Sequence, residues 1–244
     1  MDNLLRSFDI LLKNAHYPVF FGGAGVSCES GIPDFRSQDG LYNQLWQDPP
    51  ETIISASYFR HRIEEFYRFY KAKMLYPAAL PNPAHKALAY MEAKGLLHAV
   101  ITQNIDGLHQ AANSRNVIEL HGSVHRNFCL QCGKLYTMET VYQSEGVPHC
   151  SCGGLIKPDV VLYEEALPQD ALEATARYLN RADLLIIGGT SLSVYPAAAF
   201  ARDFRGKVII INKSPTPMDR QADLLIPHPI GEFLEKWMAL NTAE

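Results

Sequence analysis

Short unbroken apolar runs alternate along this chain with stretches whose apolar residues recur at helical spacing. MDNLLRSFDILLKN has apolar residues at 4, 5, 8, 11 and 12, one face of a helix. YPVFF follows as a buried strand running straight into the glycine-rich GGAGVS, which predicts a strand, a tight loop and then a helix. SASYFRHRIEEFYRFYKAKML has helical spacing with Ser57 as its cap. NPAHKALAYMEAKG starts another helix, with Asn82 as cap, Pro83 in the first turn and Gly95 as stop. LLHAVITQNI, VIELHG, PDVVLY, DLLIIGG, GKVIIIN and ADLLIP read as strands, and QDALEATARYLNRA, YPAAAFARDF and IGEFLEKWMAL as helices. Continuously apolar strands separated by helices predict an α/β fold, a doubly wound, Rossmann-like parallel sheet covered on both faces.

Two segments interrupt that rhythm. GIPDFRSQDGLYNQLWQDPP, rich in turn formers with aromatic and charged residues, reads as a long functional loop. The second gathers four of the five cysteines, Cys129, Cys132, Cys150 and Cys152, and leaves Cys28 alone. The expected organisation is therefore a Rossmann-like domain from 1–28, 79–124 and 155–244, with a smaller domain from 29–78 and 125–154.

Composition narrows the function. At 47% apolar and 20% charged over 244 residues the chain is an ordinary globular protein. A net charge of -4 gives no footprint for gripping a phosphate backbone, so no direct nucleic-acid partner is expected. No apolar run approaches the roughly 18 residues that span a bilayer, and the start lacks a signal-peptide pattern; a cytoplasmic protein with no membrane role is expected.

A glycine loop after the first strand lets backbone N–H groups approach a phosphate. GGAGVS offers Gly22, Gly23 and Gly25, but the dinucleotide fingerprint begun at Gly23 meets Cys28 where it needs glycine, so a structural turn and a nucleotide site are both open from the loop alone. Asp34, Phe35 and Arg36 follow, a carboxylate, a ring and a guanidinium able to pair a phosphate. Gln103, Asn104, Ile105 and Asp106 fall where LLHAVITQNI ends, the strand end at which parallel sheets bind ligands, although NID before Gly107 also suits an ordinary capping turn. His121, at the end of VIELHG, is positioned to accept a hydroxyl proton near neutral pH; His85 and His125 are weaker candidates by position. Cys129-x-x-Cys132 and Cys150-x-Cys152, with 17 residues between the pairs, are two knuckles for one tetrahedral Zn2+, with His149 a possible substitute ligand. Four filled positions leave no place for water, so the ion is expected to be structural.

In this order, GAGVS–SGIPDFR, QNID, ELHG, the paired cysteines, GTSL and IN resemble the sirtuins, NAD-dependent protein-lysine deacylases, in their compact bacterial form, from about residue 15 to 231. The resemblance implies a Rossmann-like domain, a small domain of zinc ribbon and helical module, and NAD bound between them. By position it implies NAD contacts from Gly23, Ala24, Gly25, Ser27, Asp34, Phe35, Arg36, Gln103, Gly189, Thr190, Ser191, Asn212 and Ile230. Ile105 and Asp106 resemble the pair on the nicotinamide carboxamide, Asn104 the residue that orders the ribose and a water, and His121 the general base. The implied reaction moves an acetyl group from lysine to ADP-ribose, releasing nicotinamide and O-acetyl-ADP-ribose, so the implied partners are acetyl-lysine proteins or peptides. PDVVLYEE is similar to the strand that pairs with the substrate backbone, which makes Val160 and Val161 acyl-lysine contacts. Tyr163-Glu164-Glu165 stands where the family more often has Phe-Gly-Glu, and the added carboxylate hints at basic residues around the target lysine. Sirtuins preferring acidic acyl groups carry Tyr-x-x-Arg; here Tyr67 is followed by Tyr70 instead of arginine, and Arg68 and Lys71 lie off the expected face, so neutral acyl groups are expected.

Two other readings compete. A dehydrogenase is disfavoured by the incomplete glycine fingerprint and the missing ribose acid. A zinc-ribbon binding module would explain only about a tenth of the chain. Cys28 reads as a small buried apolar residue, with redox sensitivity as the alternative.

Overall fold

The computed structural model describes residues 1–35, 40, 46 and 48–242. In chain order its elements are α1 (Asp2–Asn14), β1 (Pro18–Gly22), α2 (Pro50–Ile53), α3 (Ala56–His61), α4 (Ile63–Lys73), α5 (Pro83–Ala93), β2 (Ala99–Thr102), α6 (Leu108–Ala111), β3 (Val117–Glu119) and β4 (Gly122–Cys129). Then come β5 (Leu135–Tyr136), α7 (Met138–Gln143), β6 (Ile156–Val160), α8 (Gln169–Arg181), β7 (Leu184–Gly188), α9 (Ala197–Arg202), β8 (Lys207–Ile211), β9 (Leu224–Ile226) and α10 (Ile230–Thr242).

Six strands form one parallel sheet in the order β3-β2-β1-β7-β8-β9. Strand side chains alternate between faces, and both faces are covered, which is why these strands read as unbroken apolar runs. Phe20, Ile186 and Ile209 pack with Phe8 of α1, Leu88 and Met91 of α5, and Phe233 and Trp237 of α10. Phe21, Ile187 and Ile210 pack on the other face with α9 and the inner side of α8. Burying each such side chain stabilises the fold by roughly 1.5–3 kcal/mol. Phe8 lies edge-on to Phe233 and Trp237, at 5.4 and 5.7 Å between ring centroids, so the first and last helices close over the same layer.

A three-stranded antiparallel sheet, β5-β4-β6, stands apart from the large one. It shares a third apolar cluster with α2, α3 and α4, built from Ile53, Phe59, Phe66, Tyr67, Tyr70, Val124, Met138 and Ile156 among others. The small sheet reaches beyond 125–154 at both ends.

Several local expectations are corrected. No α-helix follows the glycine loop; Ala24–Val26 and Cys28–Ser30 form two short 3-10 turns. The helix capped at Ser57 is two helices, broken at Arg62, and its cap is Ser55, whose Oγ accepts from Tyr58 N at 3.2 Å. Ser57 instead donates its N–H and Oγ–H to the Glu164 carboxylate, at 2.8 and 2.9 Å. The strand read over PDVVLY begins at Ile156 and pairs antiparallel with β4, outside the parallel sheet. Asn82 caps α5 as expected from sequence, but the residue completing the capping box is His85, whose Nδ1 accepts from Asn82 N at 3.3 Å. Among the described residues no helix is long and apolar enough to cross a membrane.

His85 and His109 are both buried and face each other, with ring centroids 4.8 Å apart. His85 Nε2 and both His109 nitrogens have no hydrogen-bond partner. Burial pushes the His85 pKa down to about 4 and that of His109 to about 3, the second also repelled by the first. Both rings are thus neutral in the fold and charge on unfolding near the ordinary value of 6.5. Their contribution is fully present above that value and is lost as pH falls towards the folded values. Between pH 7 and 5 the loss is expected to be about 1–2 kcal/mol for each histidine. Urea unfolding at pH 7, 6 and 5 checks this, and His109→Phe should flatten the pH dependence.

Candidate active site

β1 lies between β2 and β7, and the chain leaves it in one direction for β2 and β3 and later returns for β7, β8 and β9. That reversal opens a crevice at the carboxyl ends of β1 and β7, where Gly22 is in register with Gly188. The cleft there encloses about 1500 Å³, above the roughly 300–1,000 Å³ of a single small-ligand site. It has room for two reactants.

Its floor is backbone. Gly25 N donates to Gly189 O at 2.8 Å, and a Cβ on Gly25 would come within 2.8 Å of that oxygen. Gly189 has φ +57, a left-handed conformation open to glycine. The loop is held from the far end of the chain as well: Glu29 Oε1 accepts from Gly231 N at 2.8 Å, at the start of α10.

Side chains from four strand ends converge above the floor. Ser27 Oγ donates to Asp106 Oδ2 at 2.7 Å and accepts from Asn104 Nδ2 at 3.0 Å, while Asp106 Oδ1 accepts from Leu108 N at 2.9 Å. Burial raises the Asp106 pKa, and the Ser27 and Leu108 hydrogen bonds oppose that rise. Gln103 Nε2 donates to Thr190 Oγ1 at 3.1 Å, tying the ends of β2 and β7 together. Asn212 follows β8, its Nδ2 donating to Ser214 O at 2.6 Å.

His121 lies opposite, between β3 and β4. Its Nδ1 is 2.8 Å from Gln103 O, and because a carbonyl only accepts, Nδ1 carries the proton and Nε2 keeps its lone pair. Burial lowers its pKa, partly countered by the Gln103 carbonyl, so the ring is neutral at pH 7. The His121 carbonyl accepts from Val161 N at 3.0 Å, and Gly122 next to it has φ +75, with Asp159 O standing where a Cβ would need room. The base candidate is therefore clamped between the two sheets.

The cleft brings together Gly23, Ala24, Gly25, Ser27, Asp34, Phe35, Gln103, Asn104, Ile105, Asp106, His121, Val160, Val161, Gly189, Thr190, Ser191, Asn212 and Ile230. Arg36 lies outside the described residues. Of the tyrosines, Tyr70 lines the cleft, whereas Tyr67 donates its hydroxyl to Ile156 O and lines a separate groove with Arg68 and Lys71. In the segment after β6, Glu164 accepts from Ser57 N and Oγ, and Glu165 accepts from Leu162 N at 2.9 Å and pairs with Lys157 at 3.3 Å. Neither Ser57 donor is charged, so Glu164 keeps its negative charge on the cleft. Cys28 lines the cleft and is exposed as a residue, correcting the expectation of a buried one; partial desolvation of its sulfur, with Asp34 nearby, raises its pKa, which opposes thiolate chemistry.

His125, judged weaker from position, also lines the cleft. Its Nε2 donates to Asp106 O at 2.8 Å, and Gly107, with φ +71, gives the ring its room. A bulge in β4 between Ser123 and Asn127 presents it, and no local pattern announces a bulge.

The four cysteine sulfurs lie within 4.8 Å of one another, with Cys129–Cys152 at 3.5 Å and Cys132–Cys150 at 3.6 Å. Zinc–sulfur bonds of about 2.3 Å in a tetrahedron require sulfur separations near 3.8 Å, so the set fits one Zn2+ with every position filled. His149 is outside the cluster, its Nδ1 3.4 Å from Gly153 O, and is corrected as a ligand candidate.

Residues 23–196 match the family model described as the Sir2 family. A protein of Clostridium perfringens named NAD-dependent protein deacetylase is 52% identical, covering 97% of this chain and 99% of its own. A solved Sir2 with a p53 peptide and NAD+ superposes with a TM-score of 0.87 at 42% identity, over 98% of this chain and 99% of that one. A second, with 2′-O-acetyl-ADP-ribose and a deacetylated p53 peptide, gives 0.86 at 41% identity, over 98% and 100%.

One zinc per chain is expected by elemental analysis of the purified protein. Cys129→Ser should lose it along with hydrogen-exchange protection of β4 and β6, and His149→Ala should keep both.

Proposed function

The chain belongs to the Sir2 family and is an NAD-dependent protein deacetylase, and we propose that His121 is its general base while Asn104, Ile105 and Asp106 hold the nicotinamide half of the co-substrate. NAD supplies a ribose carbon activated by its nicotinamide leaving group, and the ADP-ribose that accepts the acetyl group. The observation that carries the proposal is the bond from His121 Nδ1–H to the Gln103 carbonyl. It fixes the tautomer in which Nε2 accepts a proton from a ribose hydroxyl, a role worth roughly 100- to 10,000-fold in rate. Asp106 has spare lone pairs for a carboxamide N–H, and the Asn104–Ser27–Asp106 chain fixes their spacing before any ligand arrives. Phe35, packed half-buried on the small-sheet cluster, shields the reacting carbon from water.

The acyl-lysine partner enters as an added strand beside Val160 and Val161. Its acyl group is neutral. This is supported by Lys71, whose amine is held by Ser144 O, Ser144 Oγ and Gly146 O, and by Arg68 in the same separate groove, so neither reaches the cleft. On this reading 29–78 and 125–154 form a smaller lobe against the Rossmann-like lobe of 1–28, 79–124 and 155–244, a division supported by the separate apolar cluster. The zinc site fastens that lobe and takes no part in the chemistry, and a cytoplasmic setting suits thiols that must stay reduced to bind metal.

Mass spectrometry of an acetyl-lysine peptide incubated with NAD is expected to show nicotinamide and O-acetyl-ADP-ribose, with His121→Ala slower by at least 100-fold. An active His121→Ala enzyme removes the base assignment. Because the histidine pKa is lowered, the acid limb of kcat/KM should have its midpoint below 6.5, with activity retained from there up to pH 8.

A further inference from the structure

A β-bulge usually adds one residue to one strand, but the bulge in β4 adds three. Ser123 is in register with Asp159 and Asn127 with Pro158, so Val124, His125 and Arg126 stand opposite nothing on β6. The excursion is braced from within. Buried Asn127 donates its Nδ2 to Val124 O at 3.0 Å, and His125 N donates to Ser123 Oγ at 3.3 Å. A segment whose polar groups are satisfied in this way holds one shape.

Each of the three residues bonds instead towards the large sheet. Val124 N donates to Ile105 O at 2.9 Å, and His125 Nε2 donates to Asp106 O at 2.8 Å with its ring over Gly107. Two consecutive carbonyls of the turn between β2 and α6 are thus held from the small sheet. The Asp106 carboxylate is held on its other side by Ser27 and Leu108, which leaves it one direction in which to point.

Arg126 reaches the neighbouring strand ends. Its Nη1 donates to Glu119 Oε2 at 2.6 Å, on β3, and its Nε to Asp159 Oδ2 at 2.7 Å, on β6. Surface ion pairs are usually worth little, but the Glu119 side chain is only 9% exposed, so losing the guanidinium would strand a nearly buried carboxylate. Glu119 lies two residues before His121, and Asp159 two before Val161, whose N–H holds the His121 carbonyl. One guanidinium therefore ties together the two strands between which His121 is clamped.

Resting on the assignment of Asp106 to the nicotinamide carboxamide and of His121 as the base, we propose that the β4 bulge is the element that sets these two groups against each other. His125 is the positioning residue for the Asp106 turn and Arg126 the positioning residue for His121. Both act through another residue, and they act on different halves of the reaction. His125 governs how nicotinamide is held, and Arg126 governs proton transfer from the ribose hydroxyl.

The test is steady-state kinetics of the zinc-loaded protein on an acetyl-lysine peptide with NAD and with added nicotinamide as inhibitor. His125→Phe keeps a ring over Gly107 and loses the donor. Its KM for NAD and its inhibition constant for nicotinamide are expected to rise together by about tenfold with kcat within about twofold, and His125→Gln, which keeps a donor, recovers most of the loss. Arg126→Gln is expected to lower kcat by about fivefold with KM for NAD within about twofold, and Arg126→Lys, which keeps the charge, recovers part of it. Unchanged nicotinamide inhibition in His125→Phe, unchanged kcat in Arg126→Gln, or no recovery in the conservative variants overturns the proposal. If either variant fails to fold, hydrogen exchange in the wild type decides: NAD should slow the Val124 and Val161 amides together by at least about threefold, and no slowing at Val124 or Val161 overturns it. Asp106→Asn with wild-type nicotinamide inhibition removes the carboxamide assignment, and an active His121→Ala the base, so those failures are distinct from failure of the bulge.

Discussion

The contact of Gly25 N with Gly189 O is possible only because neither residue carries a side chain, and the rest of the site is arranged around it. It lets the loop after β1 settle onto the end of β7 at the point where the strand order reverses. With the loop seated there, Ser27 comes within reach of both Asn104 and Asp106 from the neighbouring strand. A bulkier residue at either glycine would lift the loop and separate Ser27 from Asn104 and Asp106. Pre-organisation here is a matter of backbone packing first and of side-chain chemistry second.

The two sheets have different tasks. The parallel sheet, buried on both faces, is the rigid member and presents strand ends. The small antiparallel sheet has little core of its own and depends on the four thiolates and on α2 to α4 for its shape. His121 stands at the seam, its ring held by Gln103 of the large sheet and its carbonyl by Val161 after β6. The His121 ring is thus referenced to both sheets.

Much of this was legible in the chain because the signals are local. Apolar runs flanked by glycine mark parallel strands wherever both faces are buried, and polar residues at their carboxyl ends mark the crevice. The cysteine spacing reports a metal geometry directly. What sequence reading missed depends on contacts remote along the chain. Ser57 looked like a cap, but Glu164 draws its hydroxyl away and leaves the capping to Ser55. The expected helix after the glycine loop gives way to 3-10 turns because Gly189 and Asn82 claim the backbone groups around it, Asn82 Nδ2 donating to Val26 O at 2.7 Å. The place of His125 follows from a bulge that no periodicity encodes.

Glu29 and Gly231 are 202 positions apart, yet one hydrogen bond joins the loop under the crevice to the first turn of α10. The last helix is consequently a strut for the cleft floor as well as a lid on the core. Shortening the chain from its far end, or pulling on it there, loads a lever whose fulcrum is Gly231 and whose short arm is the loop itself.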